Sequence, residues 1–391
     1  MKQVKLLLVG IGGYGSFYMN ELEKMADPSV ILEGVCETVE GVENQYPMIQ
    51  REGIPVYRSV SEFYKEHQAD LAIICTPIHL HHPQTLECLS HGSNVLVEKP
   101  VCSTIQEAED MAIHAEKAQK FVSVGYQMNY DPGILAMKRD ILAGKFGKPL
   151  YFKAMHGFKR GRNYYHRNKW AGKILVNGRS VNDSPVNNSN AHQFQNMTFL
   201  LGSAMDRSAQ ISQVRAQLYR TDQEVENFDT AAICATTEEQ VPIFYYTTHN
   251  CEKPEFGPAS EFHFERGTIY LGKDDGHGPK MEYIVQMEGE IPYSYGPVPT
   301  AWSLKKLYDA IECAKQEAAC DNHPVCTVWA STPHLQVVSQ LASMPIHNVA
   351  SEQVQMTKEE GDTYFRIRNL EQVFQNCYAQ GLLPTEVKAG W

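Results

Sequence analysis

Residues 4–15 read Val-Lys-Leu-Leu-Leu-Val-Gly-Ile-Gly-Gly-Tyr-Gly, an apolar run that ends at Val9 and passes at once into a G-x-G-x-x-G turn made by Gly10, Gly12 and Gly15. A short aliphatic run broken by glycines reads as a buried strand feeding a helix. The first glycine permits the tight turn, the second lets backbone N–H groups approach a pyrophosphate with no Cβ in the way, and the third lets the helix pack closely on the strand. Alone the turn is a weak signal, because glycines cluster in ordinary turns. A second apolar run, Val30–Cys36, strengthens it by ending in Glu37, twenty-two residues after Gly15, where an acid is expected to accept hydrogen bonds from the adenosine ribose hydroxyls. No Arg or Lys occurs in residues 38–44 to pair a 2′-phosphate, so NAD is expected over NADP. Ile11, Gly13 and Tyr14 complete the expected cofactor turn.

At 391 residues the chain is too long for one ordinary core and is read as two domains. A hydrophobic content of 43% with 21% charged residues is that of a folded protein. Its 35 Lys and Arg against 46 Asp and Glu leave a net charge of −11 with no basic block, which argues against nucleic acid and anionic membrane surfaces and for a small-molecule partner. The N-terminal apolar run could be mistaken for a secretory signal, but four glycines within residues 10–15 break it, and nothing approaches a membrane span. Ten scattered cysteines with no C-x-x-C pair suggest reduced thiols and a cytoplasmic location. Neither His323 between Cys320 and Cys326 nor the cluster His79, His81 and His82 has the spacing of a common metal site, so no metal is expected.

Along the first third, Lys5–Val9, Ile31–Cys36, Leu71–Cys75, Asn94–Val97 and Phe121–Val124 read as nearly continuous apolar strands. Gly15–Met25, Val60–His67, Pro83–Ser90 and Thr104–Gln119 carry helical spacing between them. This predicts an α/β Rossmann domain, a doubly wound parallel sheet, over residues 1–128. Its crevice should collect the strand C-termini: Gly10–Gly15, Glu37, Thr76–Pro77 and Glu98–Lys99–Pro100. After a helix at Pro132–Ala143 the segments Leu150–Met155, Ser212–Tyr219, Thr230–Thr237, Ile243–His249, Ser260–Phe264 and Gly267–Leu271 alternate more often. They predict an α+β domain, residues 129–391, with a large, mostly antiparallel open sheet. Helices at Asn190–Leu201, Trp302–Glu317 and Thr332–Ala342 should cover one face and leave the other for a partner subunit, giving a homo-oligomer, a dimer or tetramer. Residues 351–391 read as a polar tail with an amphipathic segment at Tyr364–Gln375.

The set Gly10, Gly12 and Gly15, Thr76-Pro77, His81, Gly92-x-Asn94-Val95-x-x-Glu98-Lys99-Pro100 and the later His192 before Phe199-Leu200-Leu201-Gly202 resembles the Gfo/Idh/MocA oxidoreductases, the group of glucose-fructose oxidoreductase and inositol dehydrogenase. The Glu-Lys-Pro element is the specific part. The resemblance implies NAD(P) held by the N-terminal domain, with Thr76, Pro77, His81, Glu98, Lys99 and Gln127 contributing, and a sugar or polyol between the nicotinamide and the C-terminal sheet. Tyr126, Gln127 and Asn129 would face the nicotinamide. Where many relatives carry basic residues after the last Rossmann strand, this chain has Met128 and Asn129, which disfavours a strongly anionic substrate.

The residue types fit the chemistry. Oxidation of a secondary alcohol needs a base for the hydroxyl proton and a cation for the developing alkoxide, roles that suit His192 and Lys99. The family commonly places an aspartate four residues before this histidine, and here that position is Asn188; an amide does not raise imidazole basicity as a carboxylate does. Asn188 would instead hold a substrate hydroxyl, or a shifted alignment would make Asp183 the relevant acid. A second cluster, Arg160, Arg162, Tyr164, Tyr165, His166, Arg167, Lys169 and Trp170, offers flat faces and donors to a carbohydrate, with a loop held by aromatic packing as the other reading. The leading expectation is an NAD-dependent sugar or polyol dehydrogenase. The alternatives are an NAD-dependent glycoside hydrolase working by transient C3 oxidation, with Tyr164, Tyr165 or His166 as the extra base, and a non-catalytic NAD- or sugar-sensing regulator.

Overall fold

A computed structural model describes residues 3–272, 280–300, 303–316 and 324–390. The chain forms two compact units, the first made of residues 1–131 and 299–332 and the second of residues 132–298 and 333–391.

In the first unit β1 (Val4–Val9), β2 (Val30–Cys36), β3 (Val56–Tyr57), β4 (Leu71–Ile74), β5 (Asn94–Val97) and β6 (Val122–Val124) make one sheet in the order β3-β2-β1-β4-β5-β6. Every pairing is parallel. The helices are α1 (Gly15–Lys24), α2 (Pro47–Glu52), α3 (Val60–Glu66), α4 (Ile78–Ser90) and α5 (Ile105–Ala118). This is the expected Rossmann architecture, and the strand order reverses between β1 and β4, where such sheets open a crevice at their C-terminal ends. Apolar runs with full burial, such as Leu71–Ile74, explain the central strands. Helix α4 begins five residues before the predicted Pro83, which it tolerates inside, and α2 and β3 lacked a clear sequence period.

The second unit opens with α6 (Pro132–Leu142) and builds a nine-stranded sheet around β7 (Pro149–Lys159). After β7 come α7 (Arg162–His166), the short hairpin β8 (Leu175–Val176) and β9 (Arg179–Ser180), and α8 (Ala191–Leu200). Then follow β10 (Ile211–Arg220), β11 (Thr230–Thr237), β12 (Pro242–Thr248), β13 (Asn250–Phe264), β14 (Gly267–Leu271), β15 (Glu282–Met287) and β16 (Tyr293–Pro297). The order is β16-β15-β14-β13-β7-β12-β11-β10 with β17 (Ile346–Asn348) at the far edge, and all pairings are antiparallel except β7–β12 and β10–β17. The predicted Ser260–Phe264 strand is the end of the fifteen-residue β13, whose register against β7 shifts across Glu255 and across the Gly257–Pro258 step. Proline and glycine there hide the alternation.

Two expectations are corrected. Helix α9 (Lys305–Lys315), predicted as Trp302–Glu317 and assigned to the sheet domain, packs in the first unit: Leu304, Leu307, Ala310, Ile311 and Ala314 join Val4, Leu6, Leu8 and Leu71 in one core. Trp302 and Glu317 lie outside the described residues. The units therefore do not divide at residue 128. Residues 351–391 are no tail. After α10 (Val328–Leu341) and β17, β18 (Val354–Glu359) and β19 (Asp362–Ile367) form a hairpin, and α11 (Leu370–Gln380) packs Leu370, Phe374, Cys377 and Tyr378 onto Tyr219, Ala232, Cys234 and Tyr246 of the large sheet. Tyr246 meets Phe374 while its neighbour Tyr245 meets Phe194 of α8, so α8 and α11 lie on opposite faces and the second face is not left bare. Phe374, completely buried, makes this testable. Phe374→Ala should cost about 3–5 kcal/mol in urea unfolding, against roughly zero for a residue of a disordered tail.

Candidate active site

In the first unit the glycine turn is built as its spacing demands. Gly10 has φ +83°, and a Cβ on Gly15 would lie 1.9 Å from the Gly10 carbonyl oxygen, so only glycine lets α1 start against this turn. A Cβ on Gly12 would meet only the Glu37 carboxylate, at 3.7 Å, leaving a cradle of the kind a pyrophosphate fills. The start of α1 has no side-chain cap and no acidic residue in its first turn. The positive end of the α1 dipole favours an anion there.

Glu37 does more than sequence reasoning assigned to it. Its Oε2 accepts the N–H groups of Ile11 (3.1 Å) and Gly12 (3.2 Å) and its Oε1 that of Val39 (2.9 Å), which ties the glycine turn to the end of β2. Tyr46 donates to the Ile11 carbonyl at 2.5 Å from the other side. One cation escaped the linear search: Arg58 donates to the Glu37 carbonyl (2.8 Å), but it also lies 3.7 Å from Glu43, so its charge is already matched by an acid.

At the ends of β4 and β5, His81 bridges two loops. Its Nε2 faces the Thr76 carbonyl (2.8 Å) and its Nδ1 the Pro100 carbonyl (2.9 Å). Burial pushes its pKa down, against the pull of those carbonyls, and the neutral ring donates its one N–H to one of the two carbonyls while lying against both the Thr76–Pro77 and Lys99–Pro100 turns. Glu98 is buried and accepts from Tyr18 Oη (2.7 Å), from the Lys99 N–H (3.2 Å) and, in a very short contact, from Lys306 Nζ. Lys306 has no exposed surface and also donates to the Gly125 carbonyl (3.1 Å) and approaches Tyr14 Oη (3.4 Å). Burial opposes its charge, yet Glu98 and Tyr14 together keep its pKa raised. Lys99, half-buried, follows directly on this pair. Tyr126, Gln127 and Asn129 are all buried, and the Asn129 amide donates to Cys326 Sγ (3.3 Å) in the unit's interior. Asn129 and its buried neighbour Met128 thus carry no information about substrate charge, which removes the basis for disfavouring an anion.

In the second unit a π-type turn, Pro185–Ser189, closed by the Asn190 N–H on the Pro185 carbonyl (2.9 Å), sets up the start of α8 and places half-buried His192 in its first turn. Asn188 Nδ2 donates to Asp183 Oδ1 (2.7 Å), and Asp183 Oδ2 accepts the Gly172 N–H (2.6 Å). The acid that stood as the alternative partner is therefore the anchor of Asn188. Next to it runs a chain that the linear sequence conceals: Ser189 Oγ lies 2.5 Å from His249 Nε2, and His249 Nδ1 lies 2.6 Å from Tyr165 Oη. Burial, followed by the fields of Arg160 and Arg167, pushes His249 well below the ordinary histidine value, and burial raises Tyr165 well above that of tyrosine. All three members are neutral near pH 7.

Arg162, predicted to meet substrate, is instead held by Asp222 in a two-point pair (2.8 and 3.0 Å) and by Glu224 (2.8 Å). His166 pairs with the same Glu224 (3.2 Å) and is too committed for the extra base. The C-terminal hairpin holds this loop from outside: Asp362 accepts the Asn163 N–H (3.0 Å), Glu359 pairs with Lys159, and the Phe365 ring underlies Arg162. Trp170 is half-buried under Arg167. Among the described residues no group of three His, Cys, Asp or Glu is arranged to hold a metal, and no helix is long and apolar enough to cross a membrane. His323 and Cys320 lie outside the described residues.

Residues 4–126 match the Gfo/Idh/MocA group, described as an oxidoreductase family with an NAD-binding Rossmann fold. It is 26% identical over 156 residues to inositol 2-dehydrogenase of Rubrobacter xylanophilus, covering 40% of this chain and 44% of that protein. It is 28% identical over 160 residues to the NAD(+)-dependent scyllo-inositol 2-dehydrogenase of Bacillus subtilis, covering 40% and 45%. The chain thus spans less than half the length of these relatives. In three dimensions it superposes on the WlbA dehydrogenase of Bordetella pertussis, solved with NADH and UDP-GlcNAcA, with a TM-score of 0.71 at 17% identity over 87% of this chain and 94% of that one. That likeness is one of fold. At Asn188, where the family commonly has an aspartate, the nearby carboxylate of Asp183 accepts from the Asn188 amide.

Sequence reasoning missed Lys306, Ser189 and His249. A lysine inside the apolar stripe of α9 and a histidine at the end of a buried strand were the available signals, but their partners lie far away in sequence. Two outcomes follow from their burial. Lys306→Met should cost about 3–5 kcal/mol in urea unfolding by stranding Glu98, and adding Glu98→Gln should recover most of it. His249 is neutral when folded and protonates near pH 6.5 when unfolded, so the unfolded chain binds more protons below that pH and stability falls as pH drops, by up to about 1.4 kcal/mol per unit. Urea midpoints between pH 7 and 5 should fall less steeply in His249→Gln.

Proposed function

We propose that this chain is an NAD-dependent oxidoreductase moving a hydride between a secondary hydroxyl of a sugar, polyol or glycoside and the nicotinamide. The observation that carries this reading is the Gly12 cradle at the start of α1, where a Cβ would meet only Glu37, in a chain whose residues 4–126 match a family described by its NAD-binding Rossmann fold. Gly10, Ile11, Gly12, Gly13, Tyr14 and Gly15 would hold the pyrophosphate, Glu37 the ribose, and Thr76, Pro77, Glu98 and Gln127 the approach to the nicotinamide. The cofactor supplies the hydride acceptor. Glu37, with Arg58 beside it lying 3.7 Å from Glu43, supports NAD over NADP.

Lys99 is assigned the stabilisation of the developing alkoxide. The neighbouring Glu98–Lys306 pair is already neutralised, so Glu98 does not cancel the Lys99 charge. His192 is assigned the proton. Asn188, bonded to Asp183, is assigned a substrate hydroxyl, and Trp170 a flat face to a ring. The sugar and polyol relatives support the substrate class. A second reading, the redox-assisted glycoside hydrolase, is favoured by one observation, the Ser189–His249–Tyr165 chain, which would provide the extra proton-transfer group that elimination at C2 demands. The reading also makes the protein a cytoplasmic homo-oligomer joined through what α11 leaves uncovered of the large sheet. Free cysteines at all nine described positions support a reducing compartment.

Following NADH absorbance and aglycone release together on a panel of inositols, neutral and acidic sugars and their glycosides separates the two chemistries. NADH alone marks the dehydrogenase; aglycone without net NADH marks the hydrolase; neither on any member removes the reading. Lys99→Ala and His192→Ala should retain NADH binding, seen by fluorescence, while turnover falls about 100- to 10,000-fold.

A further inference from the structure

Three arginines sit on or beside α7, and they are treated differently. Arg162 is neutralised by Asp222 and Glu224. Arg160 and Arg167 have no carboxylate within ion-pair distance among the described residues. Both instead stack on Tyr164, with guanidinium carbons 4.9 and 3.6 Å from its ring centroid. Arg160 is further flanked by Phe158 (4.8 Å), its Nε is buried with no hydrogen-bond partner, and Arg167 donates one N–H to the Tyr164 carbonyl (2.5 Å). Asp183 is engaged with Asn188 and the Gly172 N–H, and Glu255, which feels the Arg160 charge, is paired with His156 (2.7 Å).

Two like charges sharing one aromatic ring repel each other, and stacking offsets only part of that cost. Their joint field is felt at buried His249, where both disfavour the imidazolium. Guanidinium groups with donors left over recognise planar or tetrahedral oxyanions in two-point fashion, and the Trp170 ring, 5.4 Å from Arg167, adds a surface for a pyranose face. We propose that Arg160 and Arg167 form an oxyanion subsite of the second unit, so that the substrate is an acidic sugar, carrying a carboxylate or a phosphate, rather than a neutral polyol. This rests on the oxidoreductase reading for its catalytic meaning, but not for its binding.

The test is titration calorimetry on the full chain saturated with NADH, at low and at high salt, with D-glucose, D-glucuronate and D-glucose 6-phosphate as probes. At least one acidic probe should bind about tenfold or more tightly than glucose, with the preference shrinking as salt rises. Whichever acid is preferred distinguishes carboxylate from phosphate. Arg160→Gln/Arg167→Gln should abolish the preference and leave NADH binding intact; Arg167→Gln alone, at an exposed position, serves if the double variant misfolds. Glucose bound as tightly as both acids, no binding of either acid below about 10 mM, or an acid preference that survives the arginine changes overturns the subsite. NADH formation is followed separately: acid binding without turnover on any sugar counts against the oxidoreductase reading and leaves the subsite standing.

Discussion

The first unit depends on a lysine with nowhere to go. Lys306 has no exposed surface, and an ammonium group removed from water costs several kcal/mol unless a carboxylate and further acceptors surround it. Glu98, the Gly125 carbonyl and Tyr14 supply that environment, and all three lie at the C-terminal edge of the parallel sheet or on the glycine turn. The pairing recruits a helix from beyond residue 300 into the Rossmann core. It also stiffens the strand end that carries Lys99, because Glu98 accepts both the Lys99 N–H and the Tyr18 hydroxyl. Structural and chemical demands meet at one carboxylate.

Glu37 plays the matching part on the other side of the switch point. By accepting two N–H groups of the glycine turn and that of Val39 it fixes the turn against the end of β2. His81 does the same for the two loops between them, through backbone carbonyls alone. The turns at the C-terminal ends of these strands are thus fixed by buried groups.

In the second unit acids act as anchors. Asp222, Glu224, Asp362 and Asp183 each fix a part of the loop following β7 or of the turn before α8, and the C-terminal hairpin clamps the loop from outside. With the acids committed, the charge left over is positive, and it falls on Arg160 and Arg167 around a neutral histidine.

What the sequence determined by itself was local. The glycine turn, the apolar parallel strands, Glu37 at the end of β2 and the Glu-Lys-Pro element were legible because each is a short run whose physics is complete within a few residues: a φ that only glycine adopts, a strand buried on both faces, an acid at a strand end. The large sheet was legible as alternation, except where Pro254 and the Gly257–Pro258 step interrupted β13. What only tertiary structure decided were the long-range pairings. Lys306 meets Glu98 across 208 positions, His249 meets Tyr165 and Ser189 across 84 and 60, and Asn188 and Asp183, close in sequence, bond only because the π-type turn folds one onto the other. The C-terminal helix looked like part of a polar tail because its apolar stripe has value only against the sheet it covers. Burial sets whether a charged or titratable side chain is surface or site, and burial is a property of the assembled fold.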